Sequence, residues 1–215
     1  MDARFWQERW EQNDIGFHRS EVNPLLVKFF PELALPTASR VFLPLCGKSL
    51  DIGWLLSRGH RVAGAELSRM AIEQLFAGLG VEPEIRRTGA LEHFRAPHLD
   101  IFVGDIFALT AAALGPVDAV YDRGALVALP GPMRSRYAAH LLALTQGAPQ
   151  LLIAYDYNQT LMDGPPFAIS DAEVQRHYGQ SLEPRLAASV AASGRLANQP
   201  SAKEKVWVLK RKNEK

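Results

Sequence analysis

Short apolar runs alternate along the chain with segments whose apolar residues recur every three or four positions, and that alternation predicts the elements. Val41-Phe42-Leu43 is a β-prone run that Pro44-Leu45-Cys46-Gly47-Lys48-Ser49 breaks sharply. Ser49 is placed to cap a helix carrying Leu50, Trp54 and Leu55, and Gly59 suits the left-handed position that ends it. A second strand, Arg61-Val62-Ala63-Gly64-Ala65, runs to Glu66. Ser68 then caps a helix with Ala71, Ile72, Leu75, Phe76 and Leu79 on one face. Between 84 and 103 the helical period disappears. Glu84 to Arg87, a Thr88-Gly89 turn, Leu91 to Phe94 and Leu99 to Val103 predict an elaborated third strand with a hairpin.

Further on, Pro116 to Asp122 predicts a fourth parallel strand, and Pro132 opens a helix through Tyr137, Leu141, Leu142 and Leu144 that Gly147 stops. Leu151-Leu152-Ile153-Ala154-Tyr155 is the continuous apolar run of a strand buried on both faces. Gly164-Pro165-Pro166-Phe167 reads as a rigid loop, and Ser170 to Glu173 as a capping box opening a helix to Tyr178. Strands at about 181–187 and 205–211, joined by a loop from Gly194 to Ala202, complete the sheet. Two short helices come first. One, over 3–12, puts Trp6 and Trp10 on one face; the other starts at Asn23-Pro24 and carries Leu25, Leu26, Phe29 and Phe30 up to Pro31. A lid across a ligand crevice and plain packing on the sheet edge are both open to them. The organisation expected is a single domain, 1–215, with a helical lid over 1–36 and an α/β core over 37–215.

Repeated strand–helix alternation forces a mostly parallel sheet with right-handed crossovers. Ligands of such sheets lie beyond the carboxyl ends of the strands. Leu45, Gly47, Glu66, Asp105, Ile106, Arg123 and Tyr155 to Tyr157 all end strands and should converge on one edge. Strand, glycine turn, helix, strand and terminal acid is the βαβ unit of a nucleotide-binding half-fold. Glu66, about 20 residues beyond the turn, can accept two hydrogen bonds from ribose hydroxyls. The alternative is a surface carboxylate at a strand end.

Composition narrows the function classes. A chain of 215 residues, 47% hydrophobic, buries one sizeable core. Twenty-four Lys and Arg against 23 Asp and Glu, a net charge of +1, argue against a broad nucleic-acid surface. The lone Cys46 excludes an internal disulfide, and the six histidines show no metal-ligand spacing. No apolar run reaches the ~20 residues a membrane span needs, and the first residues do not form a secretory signal. A soluble cytoplasmic protein is the expectation, and a monomer is compatible with it.

Individual residues carry candidate chemistry. Asp105 can accept from the exocyclic amine of adenine while Ile106 covers the ring; a helix-capping role competes for Asp105. Leu45 offers backbone beside the ligand or plain core. Arg123 suits an electron-rich group, its alternative being a surface ion pair with Asp122 or Asp156. Trp10 could face a bound cation, where cation–π attraction is worth about 0.5–2 kcal/mol, or sit in the core. Cys46 at a helix N-terminus is a conceivable nucleophile, without a neighbouring histidine.

Several of these runs resemble a known family. Leu43-Pro44-Leu45-Cys46-Gly47-Lys48-Ser49, Gly64-Ala65-Glu66-Leu67-Ser68, Asp122-Arg123-Gly124-Ala125-Leu126-Val127, Gly164-Pro165-Pro166-Phe167 and the opening Trp6-Gln7-Glu8-Arg9-Trp10 with Gly16-Phe17-His18 resemble the thiopurine S-methyltransferases, as a bacterial member. The resemblance implies a Rossmann-like class I methyltransferase with a mostly parallel seven-stranded sheet and an antiparallel C-terminal hairpin. It implies S-adenosyl-L-methionine as cofactor and methyl transfer to sulfur, with a thiopurine or another small thiol as partner substrate. Selenium and tellurium species are the alternative acceptors, turned over or only bound; a nicotinamide-dependent dehydrogenase is a more distant rival, since its first turn is normally richer in glycine. Carried over by position, cofactor contacts fall on Trp10, Leu45, Gly47, Glu66, Asp105, Ile106 and Arg123. Phe17 and Arg123 fall on the substrate side, with Arg123 as the catalytic candidate. An activated sulfonium requires alignment above all, so no indispensable general base is expected.

Overall fold

A computed structural model describes residues 3–199 and 201–212; the first two residues of the expected lid, Pro200 in the expected 194–202 loop, and the last three residues lie outside them. Helices α1 (Ala3–Glu11) and α2 (Pro24–Phe29) precede strand β1 (Arg40–Pro44). Then come α3 (Leu50–Ser57), β2 (Arg61–Glu66), α4 (Arg69–Leu79), β3 (Glu84–Thr88), β4 (Leu91–Ala96) and β5 (Leu99–Val103). Helix α5 (Ala111–Leu114), β6 (Ala119–Arg123), α6 (Gly131–Thr145), β7 (Gln150–Asp156), α7 (Asp171–Tyr178), β8 (Leu182–Ala191) and β9 (Lys203–Arg211) follow.

One sheet has the order β3-β4-β5-β2-β1-β6-β7-β9-β8. Its central strands β5, β2, β1, β6 and β7 are mutually parallel, and β9 and β8 close one side antiparallel. The seven strands expected are this block from β5 to β8. The β3–β4 hairpin predicted over 84–103 is built as two further antiparallel strands on the β5 edge, extending the sheet to nine.

Local chemistry places the elements as the residues suggested. Ser49 Oγ accepts the Asp51 N–H and Ser68 Oγ the Ala71 N–H, while Asn23 caps α2 by accepting from Leu25. The capping box at α7 forms only by half. Ser170 accepts the Glu173 N–H, but the Glu173 carboxylate turns to Arg134 Nε (2.6 Å) and His177 Nε2 (3.1 Å). A cation on α6 outcompetes a backbone amide for that carboxylate, because charge-assisted bonds are the stronger.

Two apolar layers sandwich the sheet. Val41, Leu43, Val62 and Ile101 face Leu26, Phe29, Ile52 and Phe76 of α2, α3 and α4. Phe42, Ala63 and Phe102 face the other way, toward Tyr137, Leu141, Val174 and Tyr178 of α6 and α7. Helix α2 therefore packs on the sheet with the covering helices. Among the described residues no helix is long and apolar enough to cross a membrane.

Candidate active site

The parallel strands end at a cavity of about 650 Å³, lined from β2 across to β7. Leu45, Gly47, Glu66, Asp105, Ile106 and Arg123 all line it, together with Trp10, Phe17 and Tyr155. These candidates are thus brought to one place, whereas Asp156 and Tyr157, expected at the same edge, do not line the cavity: Asp156 pairs with Lys205 and Tyr157 packs with Leu196. The far walls of the cavity come from residues that the sequence did not single out: Arg19, Met133 and Arg136, and Ser193 and Arg195 of the β8–β9 loop. That loop carries no recognisable motif, and its placement comes from the antiparallel return of β9 along β7.

The turn after β1 is tightly wound. Leu45 (φ 48°) and Gly47 (φ 51°) both adopt left-handed backbone, uncommon for a leucine and a sign of a conformation imposed by its surroundings. The Cys46 N–H bonds Ala65 O at 3.0 Å, stitching the turn to β2. The Gly47 N–H is bonded to Glu66 Oε2 at 2.8 Å and the Ser68 N–H to Oε1 at 2.9 Å. A carboxylate offers about four lone-pair sites, so acceptor capacity remains beyond these amide bonds. Glu66 is only 7% exposed, and burial raises its pKa above the ordinary carboxylate value while the amide bonds to Ser68, Gly47 and Leu67 oppose that rise. A desolvated acceptor with unused lone pairs, facing a cavity, is built for hydroxyl donors.

Trp10 lies over the turn. A Cβ on Gly47 would stand 3.1 Å from the Trp10 indole, so only glycine lets the ring settle there with that backbone. The indole meets Phe17 edge-to-face at 5.5 Å, Trp6 meets the same ring at 5.6 Å, and the Lys48 ammonium stands 5.9 Å from Trp10. Trp10 is buried, while Phe17 remains 36% exposed at the mouth of the cavity.

Asp105 is exposed and does cap a short helical turn, Oδ1 accepting the Phe107 N–H at 2.9 Å, while also lining the cavity beside buried Ile106. Arg123 makes neither of the ion pairs open to it. Asp122 is wholly buried with Tyr137, Asp156 pairs with Lys205, and Arg123 Nη1 donates instead to the Phe17 carbonyl at 3.1 Å. Nearby, His18 has its pKa lowered by burial and by the positive charges of Lys48 and Arg123, which disfavour the imidazolium.

Asp122 anchors the strand end. Its Oδ1 accepts from the Ala125 and Leu126 N–H groups and its Oδ2 from Tyr137 Oη at 2.7 Å, fixing the turn that follows Arg123. Burial lifts its pKa from 3.8 to about 6, a difference of about 3 kcal/mol in folding free energy. A raised carboxyl pKa means the contribution is present below the unfolded value and is lost as pH rises through the folded one. Asp122→Asn, locked in the neutral form, should therefore gain on the wild type by up to about 3 kcal/mol between about pH 4 and about pH 7. Urea unfolding of both proteins across that range checks the slope.

Cys46 is buried, and desolvation first, then the Glu66 charge, raise its thiol pKa well above the ordinary value. Burial and the neighbouring charge outweigh any acidifying pull of the helix N-terminus and disfavour the thiolate. An aromatic disulfide reagent is expected to leave Cys46 unmodified in native protein and to titrate one thiol after denaturation. Among the described residues no group of three His, Cys, Asp or Glu side chains could hold a metal ion.

A mostly parallel sheet with an antiparallel β9–β8 end and a cavity beyond its strand ends is the fold of the class I S-adenosylmethionine-dependent methyltransferases. The family described as Thiopurine S-methyltransferase (TPMT) matches residues 1–212, and the chain belongs to it. A thiopurine S-methyltransferase of Xanthobacter autotrophicus is 54% identical over 98% of this chain and 100% of its own, and one of Gluconobacter oxydans 45% identical over 96% of each. Among solved structures, the 1,6-didemethyltoxoflavin-N1-methyltransferase of Burkholderia thailandensis with bound S-adenosylhomocysteine superposes with a TM-score of 0.67, at 13% identity over 98% of this chain and 87% of its own. A TehB-like methyltransferase of Corynebacterium glutamicum gives 0.58 at 13% identity over 98% of each chain. These two likenesses concern the fold.

Proposed function

We propose that this enzyme transfers a methyl group from S-adenosylmethionine to the sulfur of a thiopurine-like or other small thiol acceptor. The observation that carries the reading is Glu66, a buried carboxylate held by the Gly47 and Ser68 amides with acceptor capacity left toward the cavity. It fits the ribose of an adenosyl group. The engaged Gly47 N–H fits too: an adenosyl sulfonium has no phosphate to cradle, so the turn needs neither free amides nor a run of glycines. Ile106 and Leu45 supply apolar walls, with Asp105 as acceptor for an exocyclic amine, and Trp10 closes over Gly47.

When bound, the cofactor supplies a methyl group already activated by its sulfonium. The chain's own contribution is alignment and exclusion of water. Glu66 lies on β2 and Arg123 on β6, with β1 between them, so the acceptor falls toward β6 and β7. There Arg123 can hold an anionic or electron-rich sulfur, with Phe17 covering it. Helix α1 and residues 16–21 form the lid in this reading, tied down by the Arg123 bond to Phe17. Mass spectrometry with isotopically labelled S-adenosylmethionine and a panel of thiopurines, aryl thiols and alkyl thiols tests the proposal. A labelled methyl thioether is expected; label found only on oxygen or nitrogen acceptors, or on none, would overturn it.

A further inference from the structure

Beneath the acceptor end lies a buried carboxylate for which alignment alone gives no use. Glu204, 4% exposed, pairs directly across from Tyr155 in the β7–β9 ladder, so both side chains leave the same face of the sheet. The Tyr155 phenol and the Glu204 carboxylate are thus neighbours across the ladder, and the carboxylate charge acts on the phenol. Ser193 Oγ donates to Glu204 Oε1 at 3.0 Å, and Arg19 Nη1 stands 3.7 Å from the same oxygen. Lys205, the next residue on β9, is engaged by Asp156 and Asp171. Tyr155, Arg19 and Ser193 line the cavity, and the phenol lies within the field of Arg123 and Arg19.

We propose that Tyr155, seated on Glu204, is a catalytic proton relay for acceptors that arrive as protonated thiols. The inference rests on the methyl-transfer reading above. A thiopurine or acidic aryl thiol is already ionised or thione-like and needs no such group. An alkyl thiol, with a pKa near ~8.5, is mostly protonated at neutral pH. In the relay the phenol proton is directed to Glu204, and the phenol oxygen lone pairs receive the S–H. In the transfer step a sulfur lone pair forms the new S–C bond, and the old C–S bond pair departs with the donor sulfur. The S–H pair stays on the acceptor sulfur, its proton passing to Tyr155 Oη as the phenol proton passes to Glu204. Burial and the Glu204 charge raise the phenol's pKa against the pull of Arg123 and Arg19, so Tyr155 passes protons on and does not act as a standing base. Arg19 and Ser193 orient the carboxylate between turnovers.

The test compares an alkyl thiol with an acidic aryl thiol in wild type, Tyr155→Phe and Glu204→Gln. The expected result is an alkyl-to-aryl ratio of kcat/KM that falls by about 100-fold in Tyr155→Phe, within the range of general-base contributions. The alkyl rate in that variant should then rise tenfold per pH unit below the thiol pKa. In the dead-end complex with S-adenosylhomocysteine, the ultraviolet titration midpoint of a bound aryl thiol should move up by about one pH unit or more. Glu204→Gln should reproduce both changes in the same direction. Calorimetric S-adenosylhomocysteine affinity and the unfolding midpoint report whether each variant is folded. An unchanged ratio and midpoint in folded variants, or equal losses for both acceptors, overturn the relay and leave methyl transfer intact. A wild type that methylates neither thiol overturns both.

Discussion

Glu66→Ala is expected to weaken S-adenosylhomocysteine binding by about 100-fold to 1,000-fold in a calorimetric titration. Hydrogen bonds to a charged group are worth about 1.5–3 kcal/mol each, and two ribose hydroxyls make two of them. At about 1.4 kcal/mol per tenfold, that is two to three decades even after incomplete additivity. The substitution also releases the Gly47 and Ser68 amides, whose geometry the carboxylate fixes, so the turn under Trp10 loosens as well. Glu66→Gln separates the two effects. Its single amide oxygen can satisfy one of those N–H groups, but its NH2 confronts the other, so it should fall between wild type and alanine. Burial raises the carboxyl pKa; affinity should therefore decline at mildly acidic pH, earlier than a surface carboxylate would dictate. An unchanged dissociation constant for Glu66→Ala would remove the ribose role and with it the central support for the cofactor pose.

Much of this site is legible in the sequence because local chemistry determines it. Glu66 ends a strand, Gly47 sits in a turn between strand and helix, and their spacing needs no tertiary information. The same holds for the caps at Ser49, Ser68 and Asn23. Where a residue has two partners in prospect, sequence alone leaves the competition undecided. Asp105 caps Phe107 and lines the cavity at once. Glu173 abandons its backbone amide for Arg134, 39 residues away. Arg123 bypasses both neighbouring acids for a carbonyl 106 residues earlier. The far wall of the cavity is least legible, since Arg19, Ser193 and Glu204 meet only after β9 has run back along β7.

Arg123→Ala is expected to lower kcat/KM for thiol transfer by about 100-fold to 1,000-fold, the usual consequence of deleting a donor aimed at developing or resident negative charge. The same variant should hold S-adenosylhomocysteine within about threefold of wild type if the guanidinium works chiefly on the acceptor. Position favours that division. Arg123 ends β6, separated from Glu66 on β2 by the whole width of β1, and its hydrogen bond goes to the Phe17 carbonyl in the segment after α1. Part of the loss would then be loosened closure. Arg123→Lys tests this: an ammonium keeps the charge but not the planar fork, and cannot both hold Phe17 and face a sulfur in one geometry. It should recover some of the rate for anionic acceptors and little of the lid contact, which quenching of Trp6 and Trp10 fluorescence can follow. A loss of cofactor affinity as large as the loss in kcat/KM would move Arg123 to the cofactor side of the cavity. The acceptor would then depend on Arg19, Tyr155 and the β8–β9 loop for its hold on the protein.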